Sequence, residues 1–276
     1  MSGPDSRVYP KTKIAHLKRL SPKEIEEIQG LVKKGLSLRG VSRKTGVSYA
    51  AVYRYANQLS RRQSSIDFSV FSKRELGYIV GFFVGDGSRI FDKRNGHYGA
   101  QFGLDTERDS DITSLLSNLF KRSGKRVTLY SAGTWLIMRV YSKPLLTFLQ
   151  GFVKYQEDNG ETHKMLVDLH AWSIDFLIGF IGGLIDADGH VHKNKRRRGH
   201  FGADITTVNP VLVEQLIKIF NRLGLNPKVS KALPSSASYS SKPTYFVRLG
   251  KSDFNKICSE LICVKHERCG CDAKCF

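Results

Sequence analysis

The order of apolar and polar positions divides the chain into stretches of helical period and stretches of alternation. Ile25, Ile28, Leu31 and Val32 fall on one helical face. They follow Ser21-Pro22-Lys23-Glu24, with Ser21 as N-cap, Pro22 in the first turn and Glu24 at the capping-box position. Gly35 ends this helix. A short second helix spans about Ser37 to Thr45 and stops at Gly46, and Ser48 caps a third from Tyr49 to about Leu59. Gln58 to Ser72 shows neither period and reads as a linker. Beyond it lie long apolar helices and alternating segments. The strands expected are Arg89–Asp92, Tyr98–Asp105, Arg126–Tyr130 and Thr134–Tyr141, then His190–Lys193, Phe201–Thr207, Lys228–Lys231 and Thr244–Leu249. Helices Asp109–Arg122 and Pro210–Leu223 separate the strand pairs.

This second region is an internal repeat. Gly77 to Gly87 (GYIVGFFVGDG) recurs as Ile178 to Gly189 (IGFIGGLIDADG), Phe120-Lys121-Arg122-Ser123-Gly124 as Phe220-Asn221-Arg222-Leu223-Gly224, and Ile137 to Val140 as Phe246 to Leu249. Asp86 and Asp188 are 102 residues apart, Gly124 and Gly224 100, Arg139 and Arg248 109, the last stretched by a Ser-rich insertion from Pro234 to Lys242. A near-constant offset marks duplication of a unit of helix, two strands, helix, two strands, helix. The fold class expected is α+β, with duplicated αββαββα units behind a small all-α domain. The boundaries are 1–20 for a basic arm, 21–60 for the helical domain, 61–72 for the linker, 73–160 and 161–262 for the two units, and 263–276 for a Cys-rich tail.

Charge narrows the partner. Lys and Arg number 44 against 25 Asp and Glu, a net charge of +19 and an isoelectric point near 9.8. Such a surface attracts polyanions, nucleic acid first among them. The longest apolar run, Phe176 to Ala187, holds Asp186 and is too short to cross a bilayer, and the N-terminus has no apolar signal core. An intracellular protein is expected, with no membrane partner. Cys258, Cys263, Cys269, Cys271 and Cys275 crowd near the C-terminus beside His266. Zn2+ there, a disulfide and a loose reduced tail all stay open, because the spacing lacks the paired C-x2-C hooks of common zinc sites.

Ile181 to Gly189, IGGLIDADG, matches the LAGLIDADG signature at seven of nine positions, and Ile79 to Gly87, IVGFFVGDG, keeps its glycine, terminal Asp and final Gly. Residues 73 to 262 thus resemble the two-motif, single-chain LAGLIDADG homing endonucleases. Gly77, Gly81 and Gly85 lie four apart, as do Gly179 and Gly183, so each motif helix carries a side-chain-free stripe that lets two helices pack closely. Close pairing would bring Asp86 and Asp188 together at the helix ends. The resemblance implies a β-sheet saddle in the major groove and metal-dependent cleavage of both DNA strands to leave 3′ overhangs. It also implies that Asp86 and Asp188, with the carbonyls of Gly85 and Ala187, hold Mg2+ (or Mn2+). A basic group near the scissile phosphate is expected too. Arg139 and Arg248 agree across the repeat and would act by electrostatics, with Lys143 and Lys251 as alternatives. Asp186, whose counterpart is Val84, is set aside for a local structural task.

Lys195-Arg196-Arg197-Arg198 and the matching Lys93-Arg94 would track phosphates or read guanines at the saddle tips, and His97, Gln101, His200 and Asp204 are candidate base readers. The segment SLRGVSRKTGVSYAAVYRYAN resembles the helix-turn-helix of resolvases and repressors. That resemblance puts Val41, Val47 and Val52 in a small core, Tyr49, Ala50, Tyr53 and Arg54 toward the major groove, and Arg43 and Lys44 near phosphates. Together these features point to a monomeric endonuclease on double-stranded DNA with a long asymmetric target. A non-cleaving regulator on the same scaffold, and a maturase acting on its own intron RNA, are the alternatives. Regulators of that kind carry the helix-turn-helix after the repeat and tend to lose the acids, whereas here it comes first and both acids are present.

Overall fold

The computed structural model describes residues 20–62, 66–92, 97–158, 161–192, 201–234 and 242–268. The expected phosphate-tracking tips Lys93, Arg94, Lys195, Arg196, Arg197 and Arg198, together with His200, lie outside them, as do Cys269, Cys271 and Cys275. The chain divides into two compact units between residues 63 and 64.

In the first unit, α1 (Pro22–Lys33), α2 (Leu38–Thr45) and α3 (Tyr49–Arg62) enclose Ile28, Val41 and Val52, all fully buried, with Val47 only partly so. The capping box at Ser21 forms as the sequence indicates, Ser21 and Glu24 each bonding the other's backbone amide. Gly46 ends α2 in the left-handed region (φ 67°), which lets the chain turn sharply into α3.

The second unit is built twice over. α4 (Lys73–Asp86) leads into β1 (Gly87–Asp92), β2 (His97–Asp105), α5 (Ser110–Arg122), β3 (Thr128–Ala132), β4 (Trp135–Tyr141) and α6 (Lys143–Gln150). A hairpin of β5 (Val153–Asp158) and β6 (Glu161–Leu166) follows. The series then repeats as α7 (Ile174–Asp188), β7 (Gly189–Val191), β8 (Phe201–Thr207), α8 (Pro210–Arg222), β9 (Lys228–Ala232), β10 (Thr244–Gly250) and α9 (Lys251–Ile257), ending in a short α10 (Val264–Arg268). The two four-stranded antiparallel sheets share one order, β1-β2-β4-β3 and β7-β8-β10-β9. This is the duplicated α+β architecture the sequence indicates. The β5–β6 hairpin is an addition. Its signal was present, since Asn159-Gly160 between two alternating runs is a hairpin-turn pair.

One face of each sheet packs on helices. Met138 and Val140 in β4, and Val247 and Leu249 in β10, are buried, so the residues between them face away from the helices. The centre of the unit is the α4–α7 pair, whose side chains are almost wholly buried from Gly77 to Val84 and from Phe176 to Asp186. A helix apolar all round must be buried all round. The glycine stripes account for how near the two come. A methyl group at Gly81 would strike the Phe180 carbonyl oxygen, and one at Gly183 the Tyr78 carbonyl oxygen. Arg74 Nε bonds Asp175 Oδ1 at 2.9 Å across the starts of α4 and α7, and Arg122 at the end of α5 bonds Glu75 in the first turn of α4 at 2.7 Å.

Gly81→Ala should therefore force two backbones apart and destabilise the second unit by about 1–3 kcal/mol. Gly30→Ala, within α1 and with nothing within 4 Å of its new methyl, should stabilise the first unit by about 0.5–1 kcal/mol. Denaturant unfolding of each variant checks both, and equal effects would contradict the packing argument.

Candidate active site

The glycine-packed helices end side by side, and their last residues are Asp86 and Asp188. Asp188 leans on the partner helix, where a methyl at Gly85 would collide with the Ala187 methyl and lie 3.0 Å from Asp188 Oδ2. Asp86 opens onto a groove of about 790 Å3 that Asp105, Arg108, Asp109, Trp135, His190, His192 and Lys265 also line, and Asp188 is likewise exposed. Carboxylates at helix C-termini oppose the helix dipole, so something must compensate them.

Two lysines do so. Lys164 Nζ lies within hydrogen-bond distance of the carbonyl oxygens of Phe83 (2.9 Å), Val84 (2.8 Å), Gly85 (3.1 Å) and Gly87 (2.6 Å), closing the end of α4. Lys265 Nζ does the same for α7, at Ile185 (3.2 Å), Ala187 (3.2 Å) and Gly189 (2.9 Å). Cations at carbonyl-bearing helix ends satisfy otherwise orphaned acceptors. Lys164 comes from β6 and Lys265 from the start of α10, different local structures at one geometric station.

The electrostatics are those of a site short of positive charge. Packing around Asp86 pushes its carboxyl up to about 6, Asp188 adds to the rise, and Lys265 and then Lys164 pull it down. Asp188 is raised by the same desolvation, with Lys164 opposing it ahead of Lys265. Burial brings Lys164 down to about 8 against the pull of both carboxylates. Each lysine thus caps one helix and acts most strongly on the carboxylate of the other.

The structure brings Asp86, Asp188, Gly85 and Ala187 together, and leaves the other basic candidates elsewhere. Arg139 and Arg248 sit at equivalent stations on the open faces of the two sheets, opposite Gln101 and Asp204. Arg139 Nε donates to Gln101 Oε1 at 3.1 Å and stacks over Tyr130, while Arg248 Nη1 donates to Ser230 Oγ at 2.5 Å and stacks over Phe246. Lys143 and Lys251 open α6 and α9. The lysines that do meet the carboxylates, Lys164 and Lys265, escaped the sequence reading. Their separation of 101 residues matches the repeat and would have found them. Gly85 and Ala187 lend their carbonyls to these lysines. A carbonyl has two lone pairs, so one remains for a cation.

His97 is exposed beside Tyr141, at 5.5 Å between rings, and Gln101 faces the open side with its oxygen engaged by Arg139. Asp204 is held by His192 Nε2 at 2.9 Å, which makes it half of a pair and not a lone reader. In the first unit Arg43, Lys44, Tyr49, Ala50, Tyr53 and Arg54 are all exposed, with Tyr49 and Tyr53 6.4 Å apart. Asp186 has the local task expected of it, accepting hydrogen bonds from four groups. Cys263, expected in the Cys-rich tail, is buried, and the segment through Arg268 packs against α7 and β7. Among the described residues no group of three or more His, Cys, Asp or Glu side chains is arranged to hold a metal, and no helix is long and apolar enough to cross a membrane.

A carboxyl with a raised pKa favours the folded state only while it is protonated. Its penalty is absent below the ordinary value of 3.8, sets in as pH rises, and is complete above about 6. Asp86→Asn in EDTA should therefore raise the thermal midpoint at neutral pH, with the gain vanishing as pH falls toward 3.8. A gain that persists undiminished there would contradict the electrostatic origin.

Among solved structures, similarity extends to I-DmoI in complex with DNA and Ca, 19% identical over 68% of this chain and 88% of that one, with a TM-score of 0.49. The homing endonuclease I-WcaI bound to its DNA recognition sequence is 18% identical over 69% and 81%, with a TM-score of 0.45. Full-length DUF199/WhiA from Thermatoga maritima is 14% identical over 77% and 60%, also at 0.45. No curated protein matches the chain in sequence. One family model does match, and it covers the second repeat: residues 175–263 are similar to the LAGLIDADG-like domain.

Proposed function

We propose that the chain is a site-specific endonuclease that cuts both strands of duplex DNA with the help of divalent metal. The observation that carries this reading is the convergence of Asp86 and Asp188 at the ends of two packed helices, each flanked by a half-buried lysine.

The donor set fits Mg2+ or Mn2+: two carboxylates and the carbonyls of Gly85 and Ala187 are hard oxygen ligands. Desolvation has raised both carboxyl pKa values, with the charge of Asp188 adding to the rise at Asp86, and a cation there would relieve both effects. Bound metal would supply an activated water and a charge to stabilise the leaving oxygen. Asp86 and Asp188, with the carbonyls of Gly85 and Ala187, would hold the cation. Lys265 beside Asp86 and Lys164 beside Asp188 present positive charge to the developing phosphorane oxygens, one for each strand. Lys164, with its pKa near 8, can also hand on a proton at neutral pH. This replaces Arg139 and Arg248 in the chemical step. Those arginines, with Gln101 and His97, suit contact with the duplex across the open sheet faces.

The first unit would extend the footprint, with Tyr49, Tyr53 and Arg54 toward bases and Arg43 and Lys44 toward phosphates. Lys93, Arg94 and Lys195 to Arg198 would track the backbone, and His200 would read bases. Both half-sites lie on one chain, so a monomer suffices for an asymmetric target.

The test is incubation with a randomised plasmid library in Mg2+ or EDTA, followed by sequencing of cut ends. Site-specific double-strand breaks lost in EDTA and in Asp188→Asn are expected. Lys164→Met and Lys265→Met should each slow the cutting of a different strand by about 100-fold. Tight DNA binding without cleavage in any divalent metal would sink the nuclease reading and favour a regulator.

A further inference from the structure

Asp186 is 2% exposed, a carboxylate closing the buried stretch of α7 whose other residues, Phe176 to Ile185, are all apolar or glycine. A buried charge persists only where donors satisfy it, and here there are four. Tyr78 Oη donates from α4 at 2.9 Å and Cys263 Sγ from the following segment at 3.3 Å. The backbone amides of Val264 and Lys265 donate at 2.8 Å each. The last of these belongs to the residue whose ammonium caps α7 and acts on Asp86.

The first repeat solves the same problem differently. Val84 stands at the equivalent position, and Lys164 is held by the β5–β6 ladder, paired with Tyr155, and by Asn209 Nδ2 donating to its carbonyl at 2.7 Å. Lys265 sits at the start of a five-residue helix with no strand partner in the described pairings. The segment before it passes so close to α7 that a methyl on Gly182 would strike the Ile262 carbonyl oxygen. Two amides gripped by one carboxylate fix both the position and the orientation of that turn.

We propose that Asp186 is the positioning residue for Lys265, so that one of the two reaction centres is assembled only when the C-terminal segment is docked on α7. The proposal rests on the nuclease reading for its catalytic consequence, but not for its geometry. It makes the two centres unequal: the one served by Lys164 is built into a hairpin, whereas the one served by Lys265 depends on a strap fastened at Asp186.

Two readouts separate the proposal from the nuclease reading. In strand-resolved cleavage of the selected target, Asp186→Asn should slow the same strand that Lys265→Met slows, by about 100-fold, with the other strand changed by no more than about twofold. Cys263→Ala, which removes a donor but spares both amides, should leave the strand ratio unchanged. Independently of activity, acetic anhydride labelling read by mass spectrometry should find Lys265 protected in the natural chain and reactive in Asp186→Asn, while Lys164 stays protected in both. Equal slowing of both strands, or Lys265 as protected in Asp186→Asn as before, would overturn the proposal. If the natural chain cuts nothing, the nuclease reading fails and the labelling result alone decides the positioning role.

Discussion

The close approach of α4 and α7 governs everything else in the second unit. Backbone carbonyls occupy the space where side chains would be at Gly81 and Gly183, so the helix axes come nearer than alanine would allow. Because each helix ends in an aspartate, that approach fixes the separation of two carboxylates without any contact between their side chains being designed for the purpose. The sheets follow from the same pairing. β1 and β7 leave directly from the helix ends at Gly87 and Gly189, so the open sheet faces are placed relative to the acids by covalent connection.

Such an arrangement stores electrostatic stress. Two acids stand at the carbonyl ends of two helices in partly desolvated surroundings; desolvation raises the pKa of both, and Asp188 adds to the rise at Asp86. Lys164 and Lys265 relieve part of it by capping the helix ends, while burial lowers Lys164 in turn. Groups held away from their preferred protonation states beside a groove are what acid–base and metal chemistry require. The same pairing explains the exchange between halves, in which each lysine caps one motif helix and attracts the acid of the other.

Much of this was legible in the sequence because duplication leaves a period. The offset near 100 residues exposed both motifs, and alternation located all eight strands of the two sheets to within a few residues. Asp186 could be set apart from Asp188 because its repeat partner is Val84. Lys164 and Lys265 were missed for a physical reason: one lies in a hairpin and the other in a short helix, so no shared local pattern announces them. Only tertiary packing gives them one role. Arg139 and Arg248 are also repeat equivalents, and their alternation directs them to the open sheet faces. Cys263 falls in the Cys-rich tail of the sequence, although Asp186, 77 residues upstream, draws its segment into the core.

The account centres on a divalent cation held between Asp86 and Asp188. Mn2+ titration of the DNA-bound chain, followed by electron paramagnetic resonance, tests this most directly. Bound Mn2+ in the natural chain that is lost when both residues become asparagine is the expected result. Undiminished Mn2+ binding in that double variant would place the metal elsewhere and contradict the account.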